Sequence, residues 1–106
     1  MVEVIWTEPA LSDLNEIAEY IAIDNFEAAS RLVQDVFTAV ERLESHPKSG
    51  RRPPELERRS VYREVIIGPC RVFYRIENEK IYILYVMRSE RELRVFLLED
   101  RARENS

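Results

Sequence analysis

Residues 61–94 read VYREVIIGPCRVFYRIENEKIYILYVMRSERELR, and the fold of the chain turns on that stretch. Three runs of β-branched, aromatic and aliphatic residues are separated by two sets of turn formers, Gly68-Pro69 and Glu77-Asn78-Glu79-Lys80. Apolar runs of this length between such punctuation predict strands. Connections so short leave no room for a crossover, so neighbouring strands must run antiparallel as a three-strand meander. Alternation then assigns faces. Tyr62, Glu64 and Ile66 oppose Arg63, Val65 and Ile67, while Arg71, Phe73 and Arg75 oppose Val72, Tyr74 and Ile76. In the last run Tyr82, Leu84, Val86 and Arg88 oppose Ile81, Ile83, Tyr85 and Met87. One face must cover the apolar remainder of the chain, and the arginine-bearing face of the middle strand is expected to be mostly wet.

Toward the N-terminus, Val2, Val4 and Trp6 alternate with polar Glu3, which predicts a short strand over 2–6. Thr7 can cap a helix beginning just after it, and Pro9 suits a first helical turn. Leu11, Leu14, Ile17, Ala18 and Ile21 recur at helical spacing, with Asp13, Glu16 and Glu19 off that stripe. Asp24-Asn25 interrupts the pattern, and either residue can cap a second helix carrying Ala29, Leu32, Val33, Val36, Phe37, Val40 and Leu43. So short a break predicts an αα-hairpin. Residues 45–54, SHPKSGRRPP, are loop, and Lys48, Arg51 and Arg52 are expected near the negative end of the second helix. Polar residues 55–60 delay the second strand. A short helix is expected around residues 93–98. The order β-α-α-β-β-β(-α) gives an α+β fold, one domain over residues 1–106, with the helical hairpin packed on a mainly antiparallel sheet.

With 106 residues, 45% hydrophobic and 34% charged, the chain has the composition of a single globular domain. No apolar run approaches the roughly 20 residues that span a bilayer, so no membrane partner is expected. The start has neither the basic region nor the apolar core of a signal peptide, and a single cysteine, Cys70, fits a reducing compartment; a cytoplasmic location is expected. Cys70 opens a strand without an evident activator and reads as packing. One cysteine and one histidine, His46, cannot build a Cys/His metal site within one chain, and two glycines cannot build a Walker or dinucleotide loop. No metal and no cofactor are therefore expected. The net charge of −4 hides an asymmetry. Residues 1–47 hold ten acidic residues against Arg31 and Arg42, whereas residues 48–94 hold twelve basic against seven acidic. Fourteen of the sixteen basic residues are arginine. An acidic helical half beside an arginine-rich sheet half suits a binder of acidic partners.

Three segments together carry a resemblance. The opening strand with TEPALSDLNEIAEYI, the loop SHPKSGRR, and GPCRVFYRIENEKIYILYVMR are similar, in that order, to the RelE/ParE superfamily of toxins from type II toxin–antitoxin systems. The similarity covers residues 2–94. It implies a growth-inhibiting toxin, of the kind associated with plasmid stabilization, neutralised by a cognate antitoxin in a hetero-oligomer. RelE-like members are ribosome-dependent endoribonucleases that cut messenger RNA, whereas ParE-like members inhibit DNA gyrase without chemistry.

Resemblance to the ribonucleases would make Arg71 the phosphate-stabilising group, place Arg88 and Arg91 among further catalytic cations, and set Glu55 near the carboxylate base. Other positions depart from that pattern. Tyr62 and Glu64 stand where RelE has lysines, Glu90-Arg91 replace a His-Tyr ending, and Val95 or Phe96 stands near a terminal tyrosine. A glutamate there repels phosphate, and Glu64 can pair with Arg71 across the hairpin. Against a full ParE match, Met87 stands where many members have histidine. The gyrase-directed reading is expected, with the messenger RNA interferase on the ribosome as the alternative and a non-toxic binding module as a third. Whether the chain is an enzyme is left open by the sequence. An interface concentrates energy in a few arginines and apolar anchors. Its candidates are Arg88, Arg91, Leu93, Arg94 and Phe96, at the end of the last strand and just beyond.

Overall fold

The computed structural model describes residues 2–57 and 60–104. Strand β1 (Glu3–Trp6) leads into helix α1 (Glu8–Ala22), which folds back on α2 (Phe26–Glu41). Thr7 caps α1 by accepting from Ala10 N–H while its hydroxyl donates to Ile83 C=O at 2.7 Å, so one side chain starts the helix and ties it to the sheet. Of the two possible caps for α2, Asn25 is used, accepting from Ala28 N–H at 3.0 Å. Strands β2 (Tyr62–Ile67), β3 (Cys70–Glu77) and β4 (Lys80–Arg88) form the expected antiparallel meander, with β1 added parallel to β4. The sheet order is β1-β4-β3-β2. Gly68 takes φ +54°, a conformation open to glycine, which lets a two-residue Gly-Pro turn close the first hairpin. Asn78 (φ 58°) serves the second.

Helices α1 and α2 bury Ala10, Leu14, Leu32, Val36 and Val40 against Val72, Tyr74, Ile81, Ile83 and Val86 on one face of the sheet. The opposite face differs from the wet surface expected. Helix α3 (Val95–Glu104) and the loop carrying Leu56 cover it, burying Phe73, Leu84, Met87, Leu98 and Ala102. Arg71 lies in that layer, only 7% exposed. The sheet is thus apolar on both faces because α3 starts later and runs longer than the helix expected over 93–98. Its charged sequence hides Leu98 and Ala102 on one stripe.

Strict alternation also fails in β4. Phe73 pairs with Tyr85 and Tyr74 with Ile83, so Leu84 is an extra residue, a β-bulge. Beyond it the faces exchange. Tyr85 and Met87 join Leu84 under α3, while Val86 returns to the helical-hairpin side. Asp13 of α1 accepts from Val86 N–H at 3.0 Å, and Arg101 of α3 donates to Leu84 C=O at 3.1 Å. The two side chains also pair with each other, at 2.5 Å, bracing the bulge from both layers.

Arg51 forms a backbone bridge with Glu64, and Arg52 donates to Ser60 C=O. Gly50 passes so close to β3 that an added Cβ would lie 2.5 Å from the Tyr74 hydroxyl. That hydroxyl accepts from Gly50 N–H at 2.9 Å and donates to Pro47 C=O at 2.7 Å. Burial raises its pKa, which keeps the proton it donates. Tyr74→Phe should cost about 1–3 kcal/mol, the usual penalty for leaving buried backbone groups unpaired. Denaturant titration should show the loss in the midpoint with an unchanged slope.

Candidate functional site

Two arginine-centred sites flank β4. The first lies under the loop over the outer face. Arg71 on β3 projects beside Phe73, its guanidinium 5.0 Å from the ring centroid. Nε and Nη2 donate to Glu64 at 2.6 and 3.0 Å, and Nη1 and Nη2 donate to Glu55 at 2.6 and 2.7 Å. Glu64 is fully buried and also accepts from Arg51 Nε at 3.0 Å. The cross-hairpin pairing expected for Glu64 is present. Arg71, bonded to both carboxylates, is held above the ordinary arginine range, and its bonds to Glu55 lower the Glu55 pKa. A base works best with its pKa near the operating pH. Glu55 is shifted in the other direction.

The second site is a groove of about 820 Å³ between α1 and the chain leaving β4. Arg88, Arg91, Leu93 and Arg94 line it together with Glu16, Ile17 and Tyr20 of α1 and Tyr85 of β4. Four of the five expected interface residues therefore meet in one place. Phe96 is outside the lining on the first turn of α3, 64% exposed. Arg88 sits over the Tyr20 ring at 5.3 Å, and its Nε lies 2.7 Å from Glu90 Oε1, out of line for a hydrogen bond. Arg91 and Arg94 are exposed and have no carboxylate partner among the described residues. Tyr20 was missed by sequence reasoning. The sequence signal is a large aromatic off the apolar stripe of α1, and the structure leaves it 65% exposed.

The four residues named for nuclease chemistry are divided. Arg71 pairs in register with Met87, and Arg88 pairs with Cys70, so the two arginines lie on opposite faces of the sheet. Arg91 lies with Arg88 at the groove and Glu55 with Arg71. No group of three or more metal-ligating side chains occurs among the described residues.

A helical hairpin on a β1-β4-β3-β2 sheet, with arginines at the end of its last hairpin strand, has the architecture that the RelE/ParE resemblance implies. The family described as ParE toxin of type II toxin–antitoxin system, parDE, matches residues 4–93. The toxin candidate Y4kP of Sinorhizobium fredii is 37% identical over 82% of this chain and 88% of its own. Toxin RelE2 of Caulobacter vibrioides is 29% identical over 86% of this chain and 99% of its own. A solved structure of the chromosomal ParDE toxin–antitoxin system of P. aeruginosa superposes with a TM-score of 0.69 at 28% identity, covering 85% of this chain and 98% of that one. The chain belongs to the ParE toxin family of type II toxin–antitoxin systems.

Removing Arg71 would leave Glu64 as a buried charge with Arg51 as its only remaining partner among the described residues, so Arg71→Ala should destabilise by about 3–5 kcal/mol. Glu55 carries a depressed folded-state pKa, so its stabilising contribution is present above the unfolded carboxylate value and is lost as pH falls through the folded value. Glu55→Gln should be less stable than the parent at neutral pH, and the two should converge in acid. Urea titrations across the carboxylate range check both statements; a gap that widens in acid would contradict the ion-pair assignment.

Proposed function

We propose that this toxin arrests growth by binding DNA gyrase through the groove between Tyr20 and Arg94, without catalysing a reaction, and that a cognate antitoxin neutralises it in a hetero-oligomeric complex. The observation that carries the gyrase reading is the state of Arg71. A phosphate-stabilising arginine has to present its N–H groups to the substrate, yet those of Arg71 are bonded to two carboxylates beneath a loop. Arg88 faces the other way, so the charges a nuclease would concentrate on one phosphate are dispersed. The groove has the content of an interface instead: Tyr20, Leu93 and the solvent-facing Arg91 and Arg94. The likeness to a protein named Toxin RelE2 supports the messenger RNA interferase as the second reading.

The antitoxin reading rests on membership of a toxin–antitoxin family and on likeness to the P. aeruginosa ParDE system. The partner expected is a small protein with a DNA-binding domain and a disordered acidic-apolar segment that orders on the toxin. Co-expression should abolish toxicity and raise the melting temperature by mass action. A neighbouring gene product that fails to bind the purified toxin would remove the two-component reading.

Purified toxin should inhibit supercoiling by gyrase and leave ribosome-bound messenger RNA intact. Arg71→Ala is a poor probe of the choice, because it also unpairs Glu64. Arg91→Ala with Arg94→Ala is cleaner, since exposed arginines usually alter stability by less than about 0.5 kcal/mol. The double variant should lose gyrase inhibition with melting close to the parent. Full inhibition by the folded double variant would move the site, and messenger RNA cleavage by the parent would replace the mechanism.

A further inference from the structure

The groove beyond β4 contains one side chain whose pose its hydrogen bonds do not explain. Arg88 Nε is buried and makes no hydrogen bond, and Glu90 stands 2.7 Å away but out of line. The terminal nitrogens of Arg88 donate to nothing among the described residues, so their N–H groups are unspent. Glu90 is mostly exposed, and an exposed ion pair is too weak to fix a guanidinium on its own. What remains is Tyr20, whose ring lies 5.3 Å from Arg88 Cζ. Its hydroxyl has no hydrogen-bond partner and its ring no aromatic partner among the described residues. Tyr20 thus neither fills the core nor satisfies a polar group. Its ring face serves Arg88.

A guanidinium laid against a ring leaves its edge free, and that edge matches a carboxylate or a phosphate through two parallel bonds. Charge decides between them. Arg88, Arg91 and Arg94 share the groove with Glu16, Glu90 and Glu92, so its lining carries no net formal charge. DNA is bound through a net positive field and gains little there. A single carboxylate on a protein segment suits the groove, where Ile17 and Leu93 add apolar surface.

We propose that Tyr20 is a positioning residue of the target interface: its ring holds the Arg88 guanidinium so that the free edge takes a carboxylate of the gyrase protein. Glu90 is the internal carboxylate that this group displaces. The assignment rests on the gyrase reading above for the identity of the partner, but not for the chemistry of the groove.

The first test compares full-length toxins in a supercoiling assay with purified gyrase. Tyr20→Leu should need about tenfold more toxin for half-inhibition, the scale of a cation–ring contact in a desolvated interface. Tyr20→Phe keeps the ring and lacks only the unbonded hydroxyl, so it should restore inhibition. Arg88→Lys should fail too, because an ammonium keeps the charge without the fork. Glu90→Gln should inhibit at lower concentration than the parent, which a purely structural Arg88–Glu90 pair would not produce, and it carries the test should Tyr20→Leu melt early. The second test needs no gyrase. In ¹⁵N-labelled toxin, a blocked pentapeptide with a central Glu flanked by Leu should shift the Arg88 Nε–H resonance, and its Gln counterpart should not. Undiminished inhibition by Tyr20→Leu, no rescue by Tyr20→Phe, an equal response to the Gln peptide, or a stronger one to a DNA duplex would each overturn the proposal. A toxin that leaves gyrase active while Arg88 responds to the Glu peptide overturns the gyrase reading and keeps the chemistry assigned to the groove. Gyrase inhibition with no response at Arg88 overturns the assignment and leaves the gyrase reading standing.

Discussion

The rest of the outer layer depends on one buried cation. Arg71 sits on the central part of the sheet against Phe73, where an unpaired guanidinium would cost several kcal/mol of lost hydration. Its neighbour across the hairpin, Glu64, is buried with it, and one carboxylate cannot occupy both edges of a guanidinium. The second has to come from elsewhere in the chain. Glu55 supplies it, and to do so the loop must lie down over β3. Buried Pro53, Leu56 packed with the Phe73 cluster, and the Arg51–Glu64 bridge are consequences of that position. The loop is thus held by charge neutralisation as much as by apolar contact.

A second constraint works on the other side of β4. The Leu84 bulge leaves ladder groups without strand partners, and buried ladder groups left unpaired are costly. Asp13 and Arg101 meet them from α1 and α3, and Arg101 also lies 4.7 Å from the Tyr85 ring. The bulge turns Tyr85 under α3 and Arg88 toward Tyr20. Without the extra residue Arg88 would fall on the Arg71 side, and the two arginines would share a face. The geometry that separates them is set by a single inserted position, braced by residues 88 apart in sequence.

Much of this was legible in the sequence, and the reason is local. Hairpin turns, the Thr7 and Asn25 caps and the helical stripes are short-range patterns whose physics lies within a few residues. Glu64 with Arg71 was readable because parity and turn length place them on one face of a hairpin. What escaped reading is non-local. Nothing in residues 80–88 marks Leu84 as the bulge, because Asp13 and Arg101 specify it from outside the strand. Helix α3 begins later and runs longer than the short helix expected around residues 93–98. The arginine-bearing face expected to be wet lies beneath it. Of the expected interface, Arg88, Arg91, Leu93 and Arg94 converge because they are contiguous, while Tyr20 enters through tertiary packing alone.

Composition was also an unreliable guide to where the positive charge acts. The arginine-rich half suggested a basic surface, yet much of that charge faces inward. Arg71 is divided between two glutamates, Arg63 donates to Gly50 and Lys48 carbonyls, and Arg75 holds Glu77 and the Ala102 carbonyl. Arg52 stays exposed but still gives a donor to the Ser60 carbonyl. A guanidinium suits this work because its fork reaches two acceptors at once and it stays charged when buried. Arginines held in this way contribute little outward recognition, since much of their hydrogen-bonding capacity is spent within the chain. Among the described residues, Arg91 and Arg94 past β4 do face solvent and line one groove together. Loss of function in an arginine variant therefore has to be assigned to packing or to contact residue by residue, because both kinds occur within the same short stretch of chain.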